Sequence, residues 1–289
     1  MTKALTPWLY GLALTMAVTP AAAHRQWLLP SATIFSGTND TVTVDAAASN
    51  DLFFPDHRPA NLASIKVWAP DGSSGQIENG ATGRVRSTFD VRLDKPGTWK
   101  IGTEMAAVMG SYRLNGEEVR VGGRPGGPPP ATAPGSATPA RLRVTSASDI
   151  PAGASDVKLT QISSHNEIFV TAGVPTATVF QPTNKGLEMV PITHPAELVA
   201  GEPARFRFLV DGKRAAGLKL SVLPGGKRYR DGDGLMSITT AQDGIATVIW
   251  PAAGMYWLNA SLADDAGDPV RRISGRRMSY STTLEVMAP

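Results

Sequence analysis

The chain has 289 residues, with 28 Lys and Arg against 25 Asp and Glu and a formal net charge of +3. That length is ample for a buried core and suggests two domains or one elaborate one, while the near-neutral balance argues against nucleic acid, whose counterion-driven binding needs a concentrated basic face. With no cysteine, disulfides, thiolate metal sites, iron–sulfur clusters and cysteine nucleophiles are excluded together.

Residues 1–23 read as a secretion signal. Lys3 forms a short positive region, an apolar run follows from Leu9 to Val18, and Ala21 and Ala23 give the small-x-small pattern read by signal peptidase. The segment is too short for a stable span and nothing later replaces it, so the expectation is a soluble periplasmic protein, not membrane-spanning after signal cleavage. Cleavage after Ala23 leaves His24 first, where its α-amine and its ring nitrogen can grip one ion. Such donors suit copper, nickel and zinc better than calcium or magnesium. Cleavage after Ala21 would put the histidine third, a square-planar copper or nickel setting, but Thr19 and Ala21 fit the peptidase less well.

The mature chain is patterned for strands, with alternating or β-branched runs between Gly, Pro, Asn and Asp punctuation. In the first half these are Thr41 to Ala46, Ser64 to Ala69, Thr88 to Leu93, Thr98 to Thr103, Val157 to Ile162 and Glu167 to Thr171. His57 follows two phenylalanines in Asp51-Leu-Phe-Phe-Pro-Asp-His-Arg-Pro, where prolines hold the backbone extended. The stretch Gly122 to Arg141 is rich in Gly, Pro, Ala and Thr, too poor in apolar bulk to order itself, and reads as a flexible loop of the first domain. His165, beside Glu167, lies between two short strands.

From Lys185 the pattern changes character. Val190-Pro-Ile-Thr-His194-Pro opens this half. Strands are predicted at Ala204 to Val210 and Leu218 to Leu223, separated by an Asp211-Gly212 turn, then at Ile245 to Trp250 after an Asp243-Gly244 turn. Tyr256 to Ser261 and Ser281 to Val286 complete the set. The expected architecture is all-β: two tandem antiparallel immunoglobulin-like sandwiches, residues 24–184 and a prealbumin-like or immunoglobulin-like 185–289. The densest basic run, Arg271, Arg272, Arg276 and Arg277, reads as a solvated hairpin surface.

Catalytic signatures are thin. Gly-x-Ser-x-Gly, His-Glu-x-x-His and a phosphate-binding loop are all missing, and Asp231-Gly-Asp-Gly lacks the remaining ligands of a calcium loop. What remains is a small inventory of donors: four histidines, His24, His57, His165 and His194, enough with a carboxylate for a zinc, nickel or copper site. His24 and His57 form the preferred pair, then His165, with His194 the least secure.

Together these residues resemble the bacterial periplasmic proteins of domain-of-unknown-function family 4198, related to soluble components of nickel and cobalt uptake systems. The likeness rests on His24-Arg-Gln-Trp-Leu-Leu-Pro, on Phe53-Phe-Pro with a nearby histidine, and on Gly186-Leu-Glu-Met-Val-Pro-Ile-Thr-His-Pro. It continues through Val210-Asp-Gly-Lys, Thr240-Ala-Gln-Asp-Gly-Ile-Ala and Gly254-Met-Tyr-Trp-Leu. Relatives often carry Gly-His before Phe-Phe-Pro, where this chain has Asn50-Asp51-Leu52. The resemblance implies a divalent transition metal (nickel, cobalt, copper or zinc), with a metal-uptake permease or outer-membrane receptor as partner. Two other readings stand beside it: a metal-free envelope-interaction or glycan-binding module, and, more remotely, a copper oxygenase built on the amino-terminal histidine.

Overall fold

The computed structural model describes residues 24–122, 149–267 and 272–289. Residues 1–23, expected to be a signal segment, Arg271, and all but Gly122 of the Pro/Gly-rich loop expected at 122–141 lie outside the described residues.

In chain order the first half supplies β1 (Arg25–Pro30), β2 (Ile34–Phe35), β3 (Asp40–Ser49), β4 (Arg58–Pro59) and β5 (Ile65–Trp68). It continues with β6 (Glu78–Thr82), β7 (Ser87–Leu93), β8 (Gly97–Leu114), β9 (Glu117–Val121) and β10 (Ser155–Ala172). The second half supplies β11 (Leu187–Pro191), β12 (Pro203–Val210), β13 (Lys213–Arg214), β14 (Lys219–Pro224) and β15 (Met236–Thr239). It ends with β16 (Ile245–Ile249), β17 (Gly254–Asp264) and β18 (Gly275–Val286). Among the described residues there is no α-helix, and the chain is built of β-sandwich layers, as its period-two patterning predicts.

Three sheets make those layers. A nine-stranded sheet runs β15-β14-β17-β18-β10-β8-β5, with β2 beside β10 and β9 beside β8. A five-stranded sheet runs β1-β3-β7-β6 with β4 beside β3, and a four-stranded one runs β11-β12-β13 with β16 beside β12. The large sheet is common to both halves because β10 pairs with β18, in parallel, from Thr160↔Gly275 to Ile168↔Thr283.

The two smaller sheets cover opposite faces of the large one, and strand alternation explains how. Successive side chains of a strand point to opposite faces. Even-numbered Ile168, Val170 and Ala172 of β10 therefore join Leu28, Val42, Val44 and Phe89 in one core. Odd-numbered Phe169 joins Phe206, Phe208, Trp250 and Tyr280 in the other. Each such fully buried apolar side chain contributes ~1.5–3 kcal/mol relative to exposure.

Local chemistry fixes the connections. Asp211 and Gly212 take φ of 49° and 77°, the positive values required of both central residues of a tight primed turn, and so reverse β12 into β13. At the second expected turn the Asp243 carboxylate accepts the Ile245 N–H at 3.0 Å, while Gly244 takes φ of 75°.

One local expectation is corrected. His165 does not sit between two short strands; Ser163–Asn166 continue β10, an 18-residue strand. The segment is polar and lacks a strand-like sequence, but β8 pairs with it on one side and β18 on the other. Two ladders satisfy its backbone groups, and pairing overrides weak local propensity.

Candidate functional site

The antiparallel pairing of β1 with β3 sets Arg25 opposite Ser49, so His24 enters beside Asn50, and its Nδ1 lies 3.0 Å from Asn50 Oδ1. Arg25 Nη1 donates to the Asn50 carbonyl at 2.8 Å. Downstream of β3 the chain turns sharply. Trp27 Nε1 donates to Ser49 Oγ at 2.7 Å, Ser49 Oγ donates to the Asp51 carbonyl at 2.5 Å, and the Asn50 N–H donates to Asp56 Oδ1 at 2.9 Å.

Phe53 in this turn has φ of 61°, a left-handed conformation that costs a bulky side chain ~1–3 kcal/mol. Packing holds it there: its ring meets Trp27 edge-on with centroids 5.8 Å apart. Gly225 leaves the room, since a Cβ there would stand 2.8 Å from Phe53 Cδ2. The anchored turn delivers His57 onto His24, the two exposed imidazoles stacking with centroids 3.5 Å apart and planes 20° from parallel. The preferred pair of the sequence reading is thus brought together.

His165 belongs to a different constellation, on the odd-numbered face of β10. Register places it between Glu104 of β8 and Tyr280 of β18. Glu104, His165 and Glu167 form the one group of three or more potential metal-ligating side chains among the described residues, with ligand atoms within 4.8 Å of one another. Glu167 is buried and accepts from Tyr280 Oη at 2.9 Å. Lys100 Nζ lies 3.5 Å and His165 Nδ1 3.6 Å from its Oε1. Gly102 provides the space: a Cβ there would lie 2.6 Å from the Asn166 carbonyl and 3.1 Å from Glu167 Cγ.

Burial disfavours charge on both His165 and Glu167, yet their mutual attraction outweighs it. The His165 pKa is raised above its ordinary value, with Glu104 and Glu188 assisting, and that of Glu167 is lowered, with Lys100 and Tyr280 assisting. Tyr280 is pushed well above the phenol range by burial and by Glu167. Lys66 pairs with Glu104 at 2.7 Å, so Lys66 and Lys100 already balance the two carboxylates. An ion entering here would have to displace a lysine, so the constellation is self-sufficient as a charge network.

His194 caps the short 3₁₀ turn Pro195–Glu197: its Nδ1 accepts the Ala196 N–H at 3.0 Å. Its Nε2 lies 3.0 Å from Thr98 Oγ1 and 3.3 Å from the Thr176 carbonyl. Both ring nitrogens are engaged, and burial lowers its pKa, against the Thr176 carbonyl and Glu197. It acts as a neutral clasp between the turn and β8.

Glu104, Lys100, Lys66 and Tyr280 were missed from sequence. The strand read at Thr98 to Thr103 stops one residue before Glu104; extending its alternation would have put Lys100 and Glu104 on one face. Nothing in the sequence signals that β18 lies against β10.

An all-β chain of sandwich layers, with two exposed imidazoles paired beside its first strand, is the class that fold and site define. The model of the family "Domain of unknown function (DUF4198)" matches residues 21–264, and the chain belongs to that family. No curated protein matches it. Among solved structures, it is similar to a DUF4785 family protein from Legionella pneumophila (9% identity, TM-score 0.23, 81% of this chain), spanning 50% of that structure's length. The human OSCAR ligand-binding domain (12% identity, TM-score 0.20) is covered over 91% of this chain and 100% of its own. The D0-D1 domain of Intimin (8% identity, TM-score 0.21) is covered over 90% of this chain and 97% of its own. Among the described residues no helix is long and apolar enough to cross a membrane.

Proposed function

We propose that the protein is a periplasmic transition-metal-binding accessory of an uptake system, holding its ion at His24 and His57 and passing it to a permease or receptor. The observation that carries this reading is the stacking of those two exposed rings at 3.5 Å, from distant points of a chain with only four histidines. Neither ring fills a core or caps a turn, so a ligand role is their best physical account.

The donor set fits a borderline or soft divalent ion. After processing at Ala23, the His24 amine and Nδ1 would close a six-membered chelate, and the His57 ring, turned out of the stack, would supply a third nitrogen. The Nδ1 contact with Asn50 would be exchanged for the metal. The anchored turn around Phe53 fixes His57 beforehand, which spares ordering entropy on binding. Both rings are exposed, so they would hold an ion at the surface, as transfer to a second protein requires.

The test is calorimetric titration of processed protein, its His24 terminus verified by mass spectrometry, with nickel, cobalt, copper and zinc. One-to-one binding weakened at least tenfold both by His24→Ala and by a single glycine added before His24 is the expected result. Equal affinity in all three proteins would move the ion elsewhere, and no binding would end the metal reading.

A further inference from the structure

On the face of the large sheet that carries the even-numbered residues of β10, a stretch beyond the five-stranded sheet lines an open cleft, and its composition is unusual for a solvated β-surface. Ser221, Asn259, Ser281 and Asn166 form a continuous cross-strand row over β14, β17, β18 and β10. The adjacent row is Ser261, Ser279 and Ser164. Exposed strand positions usually take long charged or β-branched residues; short hydroxyls and amides here leave a recessed floor. The entry of β1, His24 to Gln26, walls one side, and Leu235 stands at another rim. The resulting open cleft of about 460 Å³ falls within the ~300–1,000 Å³ of small-molecule sites.

The lining has no carboxylate or lysine; its ionisable side chains are two histidines and Arg25, whose guanidinium donates to the Asn50 carbonyl. Serine hydroxyls and asparagine amides each donate and accept, which matches the paired donor and acceptor character of sugar hydroxyls. A second observation points the same way. Asn166, 7% exposed at the floor of the cleft, has its Oδ1 without a hydrogen-bond partner, a buried acceptor left unsatisfied unless a donor reaches it. Trp257, at the cleft's inner end, fixes its indole by donating to the Gln26 carbonyl at 3.0 Å.

We propose that this cleft binds a neutral oligosaccharide, seated on the two polar rows beside the β1 wall. His24 stands in its wall, so the cleft shares one residue with the proposed metal site, and the test is made without metal.

The experiment uses processed full-length protein in EDTA, titrated by calorimetry and heteronuclear NMR with cellotetraose, chitotetraose and maltotetraose, and with a heparin tetrasaccharide as anionic control. The expected result is saturable binding of at least one neutral sugar, with shifts at the Ser164, Ser279 and Ser281 amides. Ser164→Leu and Ser279→Leu, which fill the floor, should each weaken binding at least tenfold, and Ser279→Thr should retain it. Metal titration of the same variants checks that the fold survives. Failure of all three neutral sugars, binding of the heparin fragment alone, or unchanged affinity in both leucine variants overturns the proposal and leaves the metal reading untouched.

Discussion

Gly225 shows how a single atom's absence can govern a remote donor. Its missing Cβ admits the Phe53 ring, and Phe53 holds the turn that carries His57. Gly225→Ala forces a ring clash at 2.8 Å with the Met255 carbonyl 3.2 Å away, overpacking that costs ~1–3 kcal/mol. Urea unfolding should register that loss, and metal titration should show weaker binding although no ligand has changed. His165 and His194 give a second prediction at this scale, because their pKa values move in opposite directions. The raised His165 stabilises fully below about 6.5, and its contribution is lost as pH rises through its folded value. The lowered His194 stabilises above about 6.5 and loses that contribution as pH falls. Glu167, lowered, holds its contribution above about 4.5 and loses it as acid titrates the folded carboxylate. Between pH 7.5 and 5.5, His165→Gln should therefore make the acid-side loss of stability steeper and His194→Gln shallower, as read from urea midpoints at the two pH values. The His24–His57 pair was legible in the sequence, because the small-residue run before His24 and the Phe-Phe-Pro anchor are both visible there. The partners of His165 were not, since they arrive from strands whose neighbours only the tertiary fold decides.

Among elements, β10 has the greatest reach, serving two cores with its two faces. Ile168→Ala should cost ~2–5 kcal/mol and Phe169→Ala ~3–5 kcal/mol, although these neighbours in the chain touch opposite cores; chemical denaturation of each variant tests this. Strand positions, the all-β class and the Asp-Gly turns could be read from alternation and turn chemistry. The fusion of Val157 to Ile162 with Glu167 to Thr171 could not, because Ser163–Asn166 has the composition of a loop and becomes a strand only when flanked on both sides. The parallel β10–β18 ladder was hidden for a related reason: alternation tells which side of a strand is buried, not which strand lies next to it.

For the whole molecule, one sheet common to two cores implies mechanical unity. Val44→Ala in one core and Phe206→Ala in the other should shift a single unfolding transition, rather than split it, when followed by calorimetry and tryptophan fluorescence together. The position of β18 has a further consequence in time. Residues 275–286 lie between β10 and β17 in the middle of the large sheet, so a chain emerging from its amino terminus lacks the central stave until these residues, more than a hundred positions after β10, are out. Before then β10 presents an open edge, which invites pairing with other chains, and its native contacts span long sequence separations that slow folding. Such a chain completes its large sheet late, once β18 is free to slot in.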